Sequence, residues 1–257
     1  MSEQEAQKIL DTRVNRIAEQ FKTTLARFNA SSGLVALFSD SITPRQWAWM
    51  MRETYFYTRD NPQLQAAATL HFTGRQRELV DGFMRHARSE IGHDTLAAND
   101  AAALGLVSDT FPAQRPLPAT AALISHARLQ VLQGNLPAYL AYLYFLEFMP
   151  VTSGADYLRH LAAVGIGEEA MSFLIDHARI DEGHVRNMPR YIDYLVPDDA
   201  ATEEMCAQMT LVGELFGRVV RDAFAAGGTA TPRRAVTHAG QQSAPAQHEP
   251  SLAGANK

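Results

Sequence analysis

HARSEIGH, residues 86–93, and HARIDEGH, residues 177–184, are nearly one octapeptide written twice, 91 residues apart (86 to 177). Both keep His-Ala-Arg, a carboxylate at the fifth place and Gly-His at the end, while their flanks, GFMR and FLID, do not match. On a helix of 3.6 residues per turn, the first, fifth and eighth places fall within about 60° of each other. Each octapeptide therefore predicts one stripe of metal-competent groups: His86, Glu90 and His93 on one helix, and His177, Asp181 and His184 on another. The arginines at the third place point away from that stripe. The glycine before the last histidine, Gly92 or Gly183, costs about 1 kcal/mol against alanine in a helix. Its repetition predicts that something passes or packs closely beside the ligand.

Outward from the octapeptides the pattern is helical almost throughout. Glu3 to about Phe28 is amphipathic and ends at Ser31-Ser32-Gly33; Thr43-Pro44 starts a second helix, and Asn61-Pro62 breaks it. A long helix from about Arg75 to Leu104 carries the first octapeptide and closes at Gly105. After the loop 108–118 and a further helix, Gly134 and Pro150 bracket LPAYLAYLYFLEFM, followed by a short segment around 155–164. Glu168 to about Val196 carries the second octapeptide and stops at Pro197, and a last helix runs from Asp199 to about Ala225. No run alternates well enough to be a strand. The expectation is an all-α chain with one domain over 1–225. Residues 226–257, rich in Gly, Pro, Ser and Gln, have too few large apolar residues to offset the entropy of ordering and are expected to be a disordered tail.

The whole-chain properties narrow the function. The chain has 257 residues, 46% of them hydrophobic, enough for a sizeable core. A net charge of −5 leaves no footprint for nucleic acid or an acidic membrane. The single cysteine, Cys206, rules out an internal disulfide and argues for a reducing compartment. The N-terminus has no apolar signal core, and the most apolar stretch, Leu136 to Val151, is too short for a membrane span. The expectation is a cytoplasmic protein.

That apolar stretch holds the third part of the pattern. Between Arg128 and Asp156 the only charged residue is Glu147. A buried carboxylate costs several kcal/mol unless it is paired or coordinates a metal. Glu90, Glu147 and Asp181, together with His93, His177 and His184, make a ligand set for two divalent ions, and imidazole with carboxylate suits iron or manganese. Asp94 is the reserve carboxylate, and His86, though on the stripe, is given a supporting role. The set departs from ferritin-like di-iron sites, which use two Glu-x-x-His motifs and single Glu residues from two other helices. It has a third histidine and no fourth carboxylate on the first helix.

Glu90-x2-His93, Glu147 and His177-x3-Asp181-x2-His184, with GHDTLAANDAAALG (92–105) and the aromatic WAWMMRETYFY (47–57), resemble the haem-oxygenase-like di-iron oxidases and oxygenases, iron-containing redox enzymes related to TenA-type bundles. The resemblance spans about residues 15–220. It implies a helical bundle of about seven helices, two Fe(II) ions (manganese as the alternative) and O2 as co-substrate. One iron would be held by Glu90, His93 and His184, the other by His177 and Asp181, with Glu147 near both. Tyr144 would support the ligands or wall the pocket with Trp49 and Tyr55. The partner implied is a small-molecule substrate, an amine, amino acid or carboxylic acid, with no nucleic acid and no membrane; a homodimer is left open. Cys206 lies in the last helix, not where a TenA-type thiaminase carries its nucleophile, and the first histidine, His71, comes too late for a haem ligand. A cofactorless pyrroloquinoline-quinone-synthase-like oxidase would not need Glu147 and Asp181. The remaining rival is a non-catalytic iron-binding or regulatory bundle.

Overall fold

The computed structural model describes residues 2–228, apart from the side chains of Glu3, Ala6, Ser32 and residues 179–182. Ten α-helices order these residues: α1 (Glu3–Asn29), α2 (Ser32–Phe38), α3 (Pro44–Thr58), α4 (Asn61–Ala68), α5 (Val80–Ser89), α6 (His93–Ala103), α7 (Pro118–Gln133), α8 (Leu136–Ala163), α9 (Ser172–Leu195) and α10 (Asp199–Gly228). Short 3-10 turns fill several of the joints, and no strand occurs among the described residues.

Local chemistry sets the boundaries. Thr43 caps α3 reciprocally with Gln46: the Thr43 hydroxyl accepts from Gln46 N–H, and the Gln46 amide oxygen accepts from Thr43 N–H at 2.8 Å. Gly134 ends α7 in the left-handed region at φ 67°. The longest helix, α10, buries Met205, Met209, Val212, Phe216, Val219 and Ala223 at intervals of three or four residues, one continuous apolar stripe. It packs against α1, α3, α7 and α8. At Gly213 an added Cβ would stand 2.3 Å from the Thr24 side-chain methyl of α1, so Thr24 packs directly on the α10 backbone where a larger residue would not fit.

Three boundaries differ from the sequence reading. The helix expected over 75–104 is two helices, α5 and α6, separated by Glu90-Ile91-Gly92, because Gly92 takes φ 97°. Gly92 is needed for that backbone angle and not for close packing, since an added Cβ would meet nothing within 4 Å. Pro150 does not end its helix; α8 continues through it to Ala163, absorbing the segment around 155–164. Pro150 leaves the Leu146 carbonyl without its helical N–H and crowds it with the ring, and α8 runs on regardless. Helix α10 extends to Gly228, and the tail expected beyond it lies outside the described residues from 229 onward.

Candidate metal centre

Glu147 projects from the middle of α8 between α5 and α9, buried at 7% exposure. Its two carboxylate oxygens each meet an imidazole: Oε1 lies 3.0 Å from His86 Nε2, and Oε2 lies 3.0 Å from His184 Nδ1. Glu90 Oε1 stands 3.7 Å from both of those nitrogens, while its Oε2 is 3.3 Å from His93 Nδ1. The His93 and His177 rings meet edge to face, with centroids 4.5 Å apart. The result is two compact donor groups, His86/Glu90/Glu147/His184 and Glu90/His93/His177, each with all its ligand atoms within 4.8 Å of one another. Glu90 belongs to both.

This geometry answers why the octapeptide is written twice. His86, first in one copy, faces His184, last in the other, with ring centroids 3.7 Å apart. His93, last in the first copy, faces His177, first in the second. The two copies run antiparallel, so like residue types meet crosswise about a local pseudo-two-fold. The backbones differ, however. The second copy stays helical through Gly183, whereas in the first Glu90 caps α5 and His93 begins α6. The single stripe expected for His86, Glu90 and His93 is therefore corrected: the turn at Gly92 carries His93 to the second donor group.

The hydrogen bookkeeping fits a metal. The Ser89 hydroxyl donates to the His86 carbonyl at 2.7 Å, so its oxygen accepts from His184 Nε2–H at 3.0 Å. A neutral His184 therefore turns its Nδ1 lone pair to the Glu147 carboxylate, a place for a metal ion, and without one a proton on Nδ1 makes the hydrogen bond. On the other side, His177 Nδ1–H donates to the Phe173 carbonyl at 2.8 Å, leaving Nε2 for a ligand. Metal-binding imidazoles are oriented in just this way, by an acceptor on the far nitrogen. Glu90 Oε1 is buried with no hydrogen-bond partner among the described residues, although an orphaned buried acceptor costs about 1–3 kcal/mol.

Charge agrees with this reading. Burial alone would raise the Glu147 carboxyl, but hydrogen bonds from His184 and His86, and their charge, hold it well below the usual carboxylate range. Burial, helped by neighbouring His93, lowers the His177 imidazole and keeps it neutral, as a ligand must be. Burial also presses His93 down, and the hydrogen bond and charge of Glu90 outweigh it to raise His93.

Of the ligand set expected from sequence, the structure brings together Glu90, His93, Glu147, His177 and His184; the side chain of Asp181 lies outside the described residues, on helix α9. His86, given a supporting role by the sequence, stands inside the first group, since its ring reaches Glu147 directly. The expected division is also redrawn. His93 and His184 fall in different groups, and Glu90, not Glu147, is common to both. Asp94 is half-buried in the first turn of α6 and joins neither group. Tyr144 stacks on Phe148 at 3.9 Å, Tyr55 packs on Phe56 and Phe111, and Trp49 lies under the Arg52 guanidinium. None of these three rings lines the cavity of about 50 Å³ beside Glu90, Glu147 and His177; Tyr57, about two turns along α3 from Trp49, does.

Two residues that sequence reasoning missed hold the site in place. Ser89 fills the variable fourth place of the octapeptide and sets the His184 ring. Asp100, wholly buried on α6, caps α9: its carboxylate accepts from Ser172 N–H at 3.1 Å, Phe173 N–H at 2.9 Å and the Ser172 hydroxyl. Helix α9 has no side-chain cap of its own. Asp100 is a lone charge in AANDAAALG, the same signal that singles out Glu147.

Residues 48–215 match the family described as iron-containing redox enzyme. The chain belongs to this family. An iron-containing redox enzyme of this fold should resemble known helical structures, and it does. A domain of unknown function with a heme oxygenase-like fold from Shewanella denitrificans OS217 is 22% identical, with 83% of this chain and 92% of that one covered and a TM-score of 0.74. A TenA homolog from Pseudomonas syringae pv. tomato str. DC3000 is 17% identical, covering 82% and 92% at 0.70. A TenA homologue from P. horikoshii OT3 is 11% identical, covering 84% and 99% at 0.66. At these identities the similarity establishes the haem-oxygenase-like, TenA-type helical fold. No curated protein matches the chain. Among the described residues no helix is long and apolar enough to cross a membrane.

Proposed function

We propose that this iron-containing redox enzyme is a non-haem di-iron oxidase or oxygenase that uses O2 to oxidise a small substrate with an apolar body. The observation that carries the reading is the pair of donor groups sharing Glu90, whose Oε1 has no other partner. His86, Glu147 and His184 would hold one iron, His93 and His177 the other, with Glu90 between them. Asp181, from the same helix as His177 and His184, would complete the set. When bound, two ferrous ions supply the electrons and open coordination positions for reducing O2 beside the substrate.

The chain's own residues do the rest. Ser89 and the Phe173 carbonyl fix the imidazole rings before any ligand arrives, so no reorientation accompanies binding. The Phe173 ring stacks on His177 at 3.9 Å and walls the small cavity with Tyr57, Met149 and Leu174. The same four residues also wall a second cavity of about 60 Å³, whose remaining lining is apolar except for Thr54. Among the described residues neither cavity has a lysine or arginine in its walls. A zwitterionic amino acid would leave its carboxylate without a fixed counter-charge there, whereas an alkyl or aryl body would be well covered. The mostly apolar walls of the second cavity also limit water near the reacting centre.

The test is O2 uptake by the anaerobically prepared ferrous protein against alkyl amines, fatty acids and amino acids. Uptake should quicken with an apolar-bodied amine or acid and not with polar amino acids. If no compound changes the rate and the iron only oxidises, the chain is an iron-binding protein without this catalysis.

A further inference from the structure

The donor groups have a second face, unrelated to the apolar cavities. On the outer side of His86 and His184, between α5 and α9, lies a recess of about 160 Å³ whose walls include Arg85, Ser89, Arg190 and Tyr191. Among the described residues no carboxylate lines it. Two atoms in its walls are buried and have no hydrogen-bond partner among the described residues: Tyr191 Oη, on a residue 2% exposed, and His86 Nδ1, on a residue 4% exposed. Natural proteins seldom leave such groups unpaired, which points to a ligand that comes and goes.

The polarity of the recess identifies that ligand. If His86 Nε2 binds metal, as the proposed function has it, its Nδ1 carries the hydrogen and donates outward. The Tyr191 hydroxyl can donate too. Arg85 pairs with Asp81, and Arg190 reaches the Glu78 carbonyl at 3.4 Å, both on the exposed side. A guanidinium has five N–H groups, so each keeps donors for the recess. The Ser89 hydroxyl hydrogen is already committed to the His86 carbonyl. The recess thus offers donors in excess and two guanidiniums, that of Arg85 shared with Asp81, the reverse of the apolar side. Burial and the charge of Glu147 push the Tyr191 phenol up to about 12 while Arg85 and Arg190 pull it down, so both guanidiniums act at the phenol and it keeps its proton to donate.

We propose that this recess binds a small anion, a carboxylate or an inorganic oxyanion, held by Arg85, Arg190, the Tyr191 hydroxyl and His86 Nδ1–H against the back of the metal ligands. The recess shares no described lining residue with either apolar cavity, so the anion is separate from the apolar substrate. An anion there would hold the His86 ring from behind, as a carboxylate does behind a metal-bound histidine.

The experiment uses the full chain loaded with zinc(II), which is diamagnetic, at constant ionic strength set with sodium chloride. Sodium acetate and sodium sulfate are titrated in turn, followed by the imidazole nitrogen resonance of His86 and by calorimetry. Saturable binding is expected, weakened about tenfold or more in Arg85→Gln/Arg190→Gln and several-fold in Tyr191→Phe, with metal content unchanged. Tyr191→Phe keeps the ring and guards against a folding artefact in the double variant. Acetate alone binding assigns the site to an organic carboxylate, sulfate alone to an inorganic oxyanion, and both to the shared chemistry. No saturable binding of either anion, or binding that both variants leave intact, overturns the proposal. A failure of the metal reading would show separately, as wild-type protein that takes up no metal.

Discussion

The two octapeptides place a glycine at the same position, yet the structure gives the two opposite jobs, and this makes a sharp test. Gly183 lies inside α9 with helical backbone, and an added Cβ would meet nothing within 4 Å among the described residues. Alanine there should stabilise the protein by about 0.5–1 kcal/mol, the helix-propensity difference. Gly92 also faces open space, but its φ of 97° is one that a side chain makes costly. Alanine there should destabilise by about 1–2 kcal/mol through the backbone alone. For a chain of this size 1 kcal/mol moves Tm by about 2–4 °C. Thermal unfolding of the metal-free protein should show Gly183→Ala rising by about 2–3 °C and Gly92→Ala falling by about 3–6 °C. Gly92→Ala should also impair metal uptake, since the turn it strains sets Glu90 against His93. Shifts of the same sign in both variants would refute the broken-helix reading of the first octapeptide.

Three further outcomes follow from the residues around the centre. Asp100→Ala should lower stability by about 1–3 kcal/mol in thermal unfolding, less than three charge-assisted bonds would suggest, because burial raises that carboxyl despite its donors; an unchanged Tm would show that α9 does not depend on this cap. Ser89→Ala should weaken metal retention about 10–100-fold in a chelator competition, with little change in fold, and unaltered affinity would remove Ser89 from its positioning role. In metal-free protein the depressed Glu147 carboxyl contributes stability that is full above the ordinary carboxylate range and drains away as pH falls below about 4.5. Glu147→Gln should flatten that acid limb of the stability curve, and an identical limb in both proteins would contradict the pairing with His86 and His184.

Much of the site was legible because its residues break local rules. Glu147 is a charge in an apolar run, and only burial with partners explains it. The repeated His-Ala-Arg and Gly-His frames marked both helices. What was hidden depends on packing between helices, which no local period records. The crosswise meeting of His86 with His184 follows from antiparallel α5 and α9, so His86 could not be separated from a bystander on its own stripe. Gly92 reads as a tolerated helix glycine until its φ is known, and the same ambiguity hid the break before His93. Pro150 looked like a stop because proline usually is one, yet α8 is held on both sides by α9 and α10 and carries on. Asp100 carried the same signal as Glu147 but sat among alanines, where a charge passes for a solvated face.

Two metal positions sharing Glu90 are what a di-iron centre here requires. Crystals of the anaerobically iron-loaded protein, measured with anomalous scattering at the iron edge, address this directly. Two peaks are expected per chain, one among His86, Glu90, Glu147 and His184, the other beside Glu90, His93 and His177. A single peak, or iron bound away from Glu90, would contradict the di-iron centre.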